Sequence, residues 1–419
     1  MIETIFKETE LGPIPEDWEF GKFADFLNTF SAGATPFRGI SSYFVGNIPW
    51  ITSGELNFNR ITDTIEHISL EGQKKTHLTI YPKGTFLIAI TGLEAAGTRG
   101  RCAFVETPAT TNQSCLAITS SDKMHVNYLF WFYRLWSDYL AFNFSQGSKQ
   151  QSFTADIAKK LPIYRPPLTE QLRIAEALSD IDTLIAEMEA LIEKKRAIMT
   201  ATMQNLLTAR RRLTGYSEPW KEYQFSSFGS TFNGLSGKSA NDFGHGDAYY
   251  VTFVNVIYNT VIDKSILQRV DVRKNEKQNS VIKGDLLLNT SSETPEEVGM
   301  CSFVSELIPD LYLNSFCFGF RIFNDEIDPL FLSFLIRSAI GRKLMIELAQ
   351  GSTRYNLPKK KFLNSSILLP NKLSEQRAIA TILSDMDAEL AELETKRDKY
   401  IAIRQGMMQQ LLTGKIRLI

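Results

Sequence analysis

The chain has 419 residues, too many for one ordinary hydrophobic core, so two or three domains are expected. With 43% hydrophobic and 22% charged residues it has the composition of a globular protein rather than a disordered or low-complexity one. A net charge of −1 excludes a generally basic nucleic-acid binder, but leaves room for local basic patches and for a partner that supplies much of a phosphate grip. Met1 to Glu10 carries acidic side chains and no apolar run of signal-peptide length, and the longest apolar runs, such as Phe86 to Ile90, are too short to span a bilayer. A cytoplasmic protein with no membrane role is the expectation. Cys102, Cys115, Cys301 and Cys317 form no Cys-x-x-Cys pair and sit in β-like apolar runs, which predicts buried thiols rather than a metal site.

From the N-terminus, the first predicted elements are strands at Thr85 to Ile90, Cys102 to Val105 and Cys115 to Ile118. The segment from Ile90 to Arg101 joins the first two and combines glycines, the hydroxyl of Thr91 and the guanidinium groups of Arg99 and Arg101, side chains suited to phosphate or base-edge contacts. Val126 to Phe144 has the pattern of an amphipathic helix. Its aromatics Tyr128, Trp131, Phe132, Trp136 and Tyr139 recur at helical spacing, which predicts core packing rather than base stacking. Gln146-Gly147-Ser148-Lys149-Gln150-Gln151 follows, an amide-rich basic loop ahead of Lys159-Lys160. A helix C-cap with a solvated loop would have the same composition.

From Thr169 to Thr208 the apolar positions fall on heptads: Ile174, Ile181 and Met188 on one seam position, Leu178, Ile185, Ile192, Met199 and Leu206 on the other. Forty residues at a rise of 1.5 Å make a rod of about 60 Å. A second set of strands is predicted at Leu286 to Asn289, Cys301 to Val304 and Phe316 to Phe320, with Ser291 after the first of them. A second glycine-containing loop holds Ser352, Thr353, Arg354, Tyr355 and Asn356 and leads into Lys359, Lys360 and Lys361. Ser374 to Thr413 then repeats the heptads with Ile379, Met386, Leu393 and Met407, and with Leu383, Leu390 and Leu411.

The chain is thus a tandem repeat. Thr169-Glu170-Gln171 returns as Ser374-Glu375-Gln376, Leu178-Ser179-Asp180-Ile181-Asp182 as Leu383-Ser384-Asp385-Met386-Asp387, and Arg212-Leu213 as Arg417-Leu418. Upstream the copies agree sparsely, at Trp18 and Trp220, Lys83-Gly84 and Lys283-Gly284, and Gln146-Gly147-Ser148 and Gln350-Gly351-Ser352. Helices kept alike and globular parts allowed to diverge are what a scaffold carrying two different readers requires. Past Arg173 and Arg377 at the rod starts, the acids come first (Glu176 to Glu193; Asp385 to Glu394) and the bases follow (Lys194 to Arg212; Lys396 to Arg417, broken only by Asp398). Antiparallel packing sets acid against base, and would place the globular domains at opposite ends. Dipole complementarity within single helices would give the same ordering of charge.

Motifs for catalysis are missing. Pro166-Pro167 is the sole Pro-Pro and lies between Arg165 and Leu168, there is no phosphate-binding Gly-x-x-x-x-Gly-Lys loop, and the four histidines are scattered singly. The pattern points to a non-catalytic subunit.

Several phrases resemble a known family: Leu11-Gly12-Pro13-Ile14-Pro15-Glu16-Asp17-Trp18, Gly33-Ala34-Thr35-Pro36, Gly46-Asn47-Ile48-Pro49-Trp50-Ile51, Ala109-Thr110-Thr111-Asn112-Gln113, and Pro-Pro-Leu-x-Glu-Gln at Pro166 to Gln171. Together they resemble the specificity subunits of type I restriction-modification systems over essentially the whole chain. The resemblance implies an α+β protein with two mixed α/β target-recognition domains (1–165 and 214–370) separated by two long antiparallel coiled-coil helices (166–213 and 371–419), a pseudo-twofold internal repeat. Each domain would read one half of a split site in double-stranded DNA. The helices would dock two methyltransferase subunits that use S-adenosylmethionine, joined by ATP-driven restriction and translocation subunits, with no cofactor in this chain. The second domain departs from the pattern, lacking Thr-Pro around Gly234 to Gly246 and Ile-Pro-Trp near Tyr249 to Phe253. Rod length predicts half-sites about one DNA turn apart. From another class, the competing reading is a coiled-coil scaffold binding proteins through its globular ends.

Overall fold

The computed structural model describes residues 5–93, 99–147, 151–273 and 275–419. Its contacts divide the chain into two units, Met1–Glu189 with Lys396–Ile419, and Ala190–Thr395. Two helices of 39 residues, Leu168–Leu206 and Leu373–Leu411, contribute one half to each unit. No helix among the described residues is long and apolar enough to cross a membrane.

In the first unit five strands form one sheet in the order Ser31–Ala32, Cys115–Ile118, Phe86–Ala89, Cys102–Val105, Asn59–Ile61, antiparallel except for the last pair. All four residues of Phe86–Ala89 are buried, so the period of two is hidden in an unbroken apolar run. It reappears in the packing. Phe86, Ile88, Cys102, Phe104, Leu116 and Ile118 join one core with the helix Val126–Phe144, while Leu87, Ala103, Val105, Cys115 and Ala117 face a second core around Ile51 and Tyr81. Tyr128, Trp131 and Phe132 of that helix are buried in the first core, as their spacing predicts.

The second unit repeats the plan, with strands in the order Gly229–Asn233, Cys317–Ile322, Leu286–Asn289, Cys301–Phe303. Leu286 and Leu288 face one core and Leu287 the other. Where the first copy has Ile48–Ile51 parallel to Thr110–Thr111, the second pairs Tyr249 to Val251 with Leu311–Leu313, also parallel. The Ile-Pro-Trp phrase is lost but its strand pairing is kept. The long helix of the domain is broken in this copy into Pro329–Arg337 and Ala339–Leu348, because Ser338 takes an extended conformation and caps the second piece. All four cysteines are buried and free.

The long helices are antiparallel within each unit, and the charge order along them is what pairs them. In the first unit Arg404 pairs with Asp182, and Arg417, further along, pairs with Glu170 at the start of the other helix (2.7 and 2.8 Å). In the second, Lys195 meets Glu389 at 2.7 Å, Arg196 meets Glu394, and Arg212 closes on Glu375 (2.6 and 2.7 Å). Of the predicted seam, Ile174, Leu178, Ile185, Met188, Ile192, Leu206, Ile379, Leu383, Leu390 and Leu411 are buried. Near the end of the second helix Met408 is buried and Met407 only packs at the edge.

The helix starts are polar and yet buried. Glu170 is 2% exposed and accepts from Trp18 Nε1 at 3.0 Å as well as from Arg417. Gln171 accepts from the backbone N–H of His125 at 2.8 Å and donates to the carbonyls of Lys123 and Pro166. Gln376 does the same in the second unit, with the N–H of Asp328 and the carbonyls of Glu326 and Pro370. A buried carboxylate needs such a partner, and stripping the arginine from one leaves a penalty of about 3–5 kcal/mol. This explains why Glu-Gln and Arg-Leu are kept in both copies.

The turn that closes each helix holds a residue in the left-handed region, Ala209 at φ 57° and Gly414 at φ 69°, with matching bonds from Arg211 N to Asn205 O and from Ile416 N to Gln410 O, each 3.1 Å. Alanine is strained there and glycine is not. Ala209→Gly is therefore expected to stabilise the chain by about 0.5–1 kcal/mol. Gly414→Ala, whose Cβ would lie 2.3 Å from Pro15 Cγ, should destabilise it by more than about 1 kcal/mol, both read by thermal unfolding. A second expectation concerns acid. Hydrogen bonding to Arg417 holds the Asp17 carboxyl below its ordinary range, so its contribution is present above the unfolded value of about 3.9 and is lost as pH falls through the lower folded value. In acid titrations followed by circular dichroism, Asp17→Asn should differ from wild type at pH 6 and converge on it as the pH drops below about 4.

Candidate nucleic-acid interface

Two loops that are far apart in sequence meet at the same place in each unit. In the first, Thr91 forms a β-bridge with Ser152, and Gln146 pairs with Ser152 through both backbone bonds (3.0 and 2.9 Å). In the second, Ser291 pairs with Asn356, Ser292 with Tyr355, and Gln350 with Asn356. Next to the paired glutamines, Gly147 (φ 107°) and Gly351 (φ 121°) both have a positive φ that favours glycine. A Cβ on Gly351 would lie 2.1 Å from the Arg354 carbonyl.

The structure therefore brings Thr91 and Gln146 together, and Ser291, Tyr355 and Asn356 together, as elements of one edge in each domain. Ser148, Lys149 and Gln150 lie outside the described residues. Thr91 and Arg101 are half-buried, Gln146 is exposed, and Arg99 is half-buried with Nε donating to the Leu93 carbonyl at 2.8 Å. In the second domain Ser352, Thr353, Arg354, Asn356 and Lys360 are exposed, Tyr355 is half-buried against the core, and Ser291 is buried. Ser291 thus offers the edge its backbone rather than its hydroxyl.

Lys359 differs from Lys360. Its Nζ donates to Asn233 Oδ1 and lies 5.7 Å from the centre of the Phe318 ring, and partial burial lowers its pKa. Its charge is committed to the fold.

Three positioning residues support this edge, of which only Asn112 lies in one of the phrases that carry the family resemblance. Buried Asn289 donates to the carbonyls of Ser291 (3.2 Å) and Glu297 (2.9 Å) and accepts from Met300 N (2.7 Å), fixing the strand that pairs with the loop. Asn112 and Asn314 each accept from the N–H two residues on, Ser114 and Phe316, building the same turn beside the edge. Thr290 N donates to the Phe316 carbonyl and Leu357 N to the Thr290 carbonyl, so this turn, Ser291 and the loop before Lys359 are adjacent. Their signal in the sequence was the shared register of Asn112 and Asn314, visible only once the strands are aligned.

Residues 15–195 and 217–402 each match the family model described as type I restriction modification DNA specificity domain. The chain is similar to the type I restriction enzyme MjaIX specificity subunit of Methanocaldococcus jannaschii, 35% identical over 188 residues, 44% of this chain and 42% of that protein. That match spans less than half of the relative's length. The MjaVIII specificity subunit of the same organism aligns at 24% identity over 99% of this chain and 96% of its own. Among solved structures, the S subunit of a type I restriction-modification system from M. genitalium superposes with a TM-score of 0.60 at 13% identity, covering 94% of this chain and 96% of that one, a likeness of fold.

Replacing Lys359 with Met is expected to lower the melting temperature, because it strips Asn233 and Phe318 of their partner, whereas Lys360→Met should leave the stability within about 0.5 kcal/mol of wild type. Differential scanning calorimetry of the two variants makes the comparison.

Proposed function

Since the chain belongs to the type I restriction-modification DNA specificity family and is a specificity subunit, we propose that its two domains each read one half of a bipartite, asymmetric DNA site through the paired loops. The observation that carries this reading is the duplicated edge. The same backbone pairing, Thr91 and Gln146 with Ser152 in one unit and Ser291 and Gln350 with Asn356 in the other, presents different side chains. One scaffold with two side-chain sets can recognise two base sequences, because phosphate contacts position a reader and base-edge contacts specify. The exposed Arg354, Lys360 and Asn356 supply a cation pair and an amide of the type that contacts phosphate and adenine edges.

On this reading the subunit is non-catalytic. Methyl transfer belongs to two methyltransferase subunits that bind S-adenosylmethionine, and ATP-dependent translocation and cleavage to restriction subunits, all inside the cell. The long helices dock the methyltransferase subunits and set the spacing of the half-sites. A near-neutral chain is consistent with partners that share the grip on DNA. On the exposed side of the first helix, Leu191 and Ile198 recur at one heptad, an apolar surface of the kind a docked helix covers.

In a host expressing Arg354→Ala with Asn356→Ala, the methylome should show one half-site relaxed and the other unchanged. Both halves altered together, or neither, would sink the assignment of one domain to one half. With the methyltransferase present, Arg354→Ala should also reduce the slope of log affinity against log salt by about 1 if it holds a phosphate. Deleting one heptad from both helices should change the spacer and leave both half-sites intact.

A further inference from the structure

Each unit has a cleft between its globular part and the long helix that starts in it. The first, of about 320 Å³, is lined by Phe58, Trp131, Ser179 and Asp182 among others, and the second, of about 340 Å³, by Arg196, Tyr258, Asn259, Asp387, Leu390 and Glu394. Asp182 and Asp387 are the same position of the repeat, in Leu-Ser-Asp-x-Asp. Their surroundings differ. Asp182 is held by Arg404 and by Arg134 at 3.5 Å, and Arg134 also stacks 5.2 Å from the centre of the Phe58 ring.

In the second unit neither arginine bonds the carboxylate, although the charge of Arg337 still acts on it through space. The position equivalent to Arg404 is Met199. Arg337, which follows Asp328 by the same nine residues as Arg134 follows His125, turns away and donates to the carbonyls of Ile257 (2.6 Å), Cys301 (2.8 Å), Val256 and Asn259 (both 3.3 Å). Arg196, on the wall of the cleft, is taken up by Glu394 and Glu193. Asp387 makes no hydrogen bond or ion pair among the described residues; burial raises its pKa, the charge of Arg337 opposes that rise through space, and Glu394 adds to it. Tyr258 is 71% exposed beside it. The lining has a net charge of −1, from Asp387 and Glu394 against Arg196.

We propose that this cleft receives an arginine side chain from the docked methyltransferase subunit, its guanidinium pairing with Asp387 and lying against Tyr258. The first unit is the template: the same carboxylate, beside an aromatic ring, takes guanidinium groups from its own chain. A half-buried carboxylate left unpaired destabilises the free chain and is repaid only when a cation arrives. A planar fork with a delocalised charge suits a carboxylate next to a ring better than an ammonium does. The inference rests on the methyltransferase reading above.

The test uses the full-length chain and its methyltransferase subunit in isothermal titration calorimetry, with thermal unfolding of each variant alone. Asp387→Asn should weaken binding at least about tenfold and Tyr258→Ala about two- to fivefold, while Asp387→Glu stays within about threefold of wild type. Alone, Asp387→Asn should melt at or above the wild-type temperature. Asp182→Asn, which leaves Arg404 and Arg134 without their acid, should melt below it. Wild type and Asp387→Asn binding equally would overturn the proposal and leave the docking reading intact, as would a fall in melting temperature for Asp387→Asn matching that of Asp182→Asn. No binding by wild type would overturn the docking reading, and the cleft's occupant with it.

Discussion

A glutamate and a glutamine that begin a helix are ordinarily solvated. Here Glu170, Gln171, Glu375 and Gln376 are all buried, and the fold is organised around satisfying them. The glutamine ties the helix start to the entry of the domain's own helix, at His125 in one copy and Asp328 in the other. The glutamate is neutralised by an arginine from the far end of the other long helix, Arg417 or Arg212. One interaction therefore fixes three things together: the angle of the domain on its helix, the antiparallel sense of the helices, and their register. The two copies are not identical. Trp18 donates to Glu170, whereas the indole N–H of Trp220 has no hydrogen-bond partner among the described residues, although Arg212 still lies over its ring at 6.0 Å.

This constraint lets the globular parts drift. A reader's loops can change as long as the strand ladder beneath them and the polar lock behind them are kept. The second domain has lost Ile-Pro-Trp and split its long helix at Ser338, yet its parallel strand pairing and its loop-to-loop bridges remain. Sliding one long helix past the other would leave Glu170 and Glu375 buried without their arginines, so these ion pairs hold the register.

Much of this was legible in the sequence, for identifiable reasons. The heptads, the repeat and the polarity of charge are one-dimensional patterns, and antiparallel pairing follows from them. The strands at Phe86–Ala89 and Leu286–Asn289 were legible because buried strands read as short apolar runs. What could not be read depends on which segments meet. Ser291 and Lys359 look like exposed polar fingers in a loop, but one is buried and the other is spent on Asn233. Ser179 looks like an ordinary helix residue until Trp131 is found donating to it at 3.3 Å. Asp182 and Asp387 are indistinguishable as letters, and differ only through partners elsewhere in the chain, Arg134 and Arg404 on the first and neither counterpart bonded to the second.

The lock by Arg417 also makes the two units unequal during synthesis. The second, Ala190–Thr395, is one continuous stretch of chain and closes its own lock, Arg212 onto Glu375, without any residue from Lys396 onward. The first has 189 residues in place early, but Glu170 and the apolar seam of Ile174 and Leu178 await the later segment, Lys396–Ile419. Contacts between segments far apart in sequence wait for the later one to be made. Cutting the chain short within Lys396–Arg417 would thus damage the domain made first, and spare the one made after it.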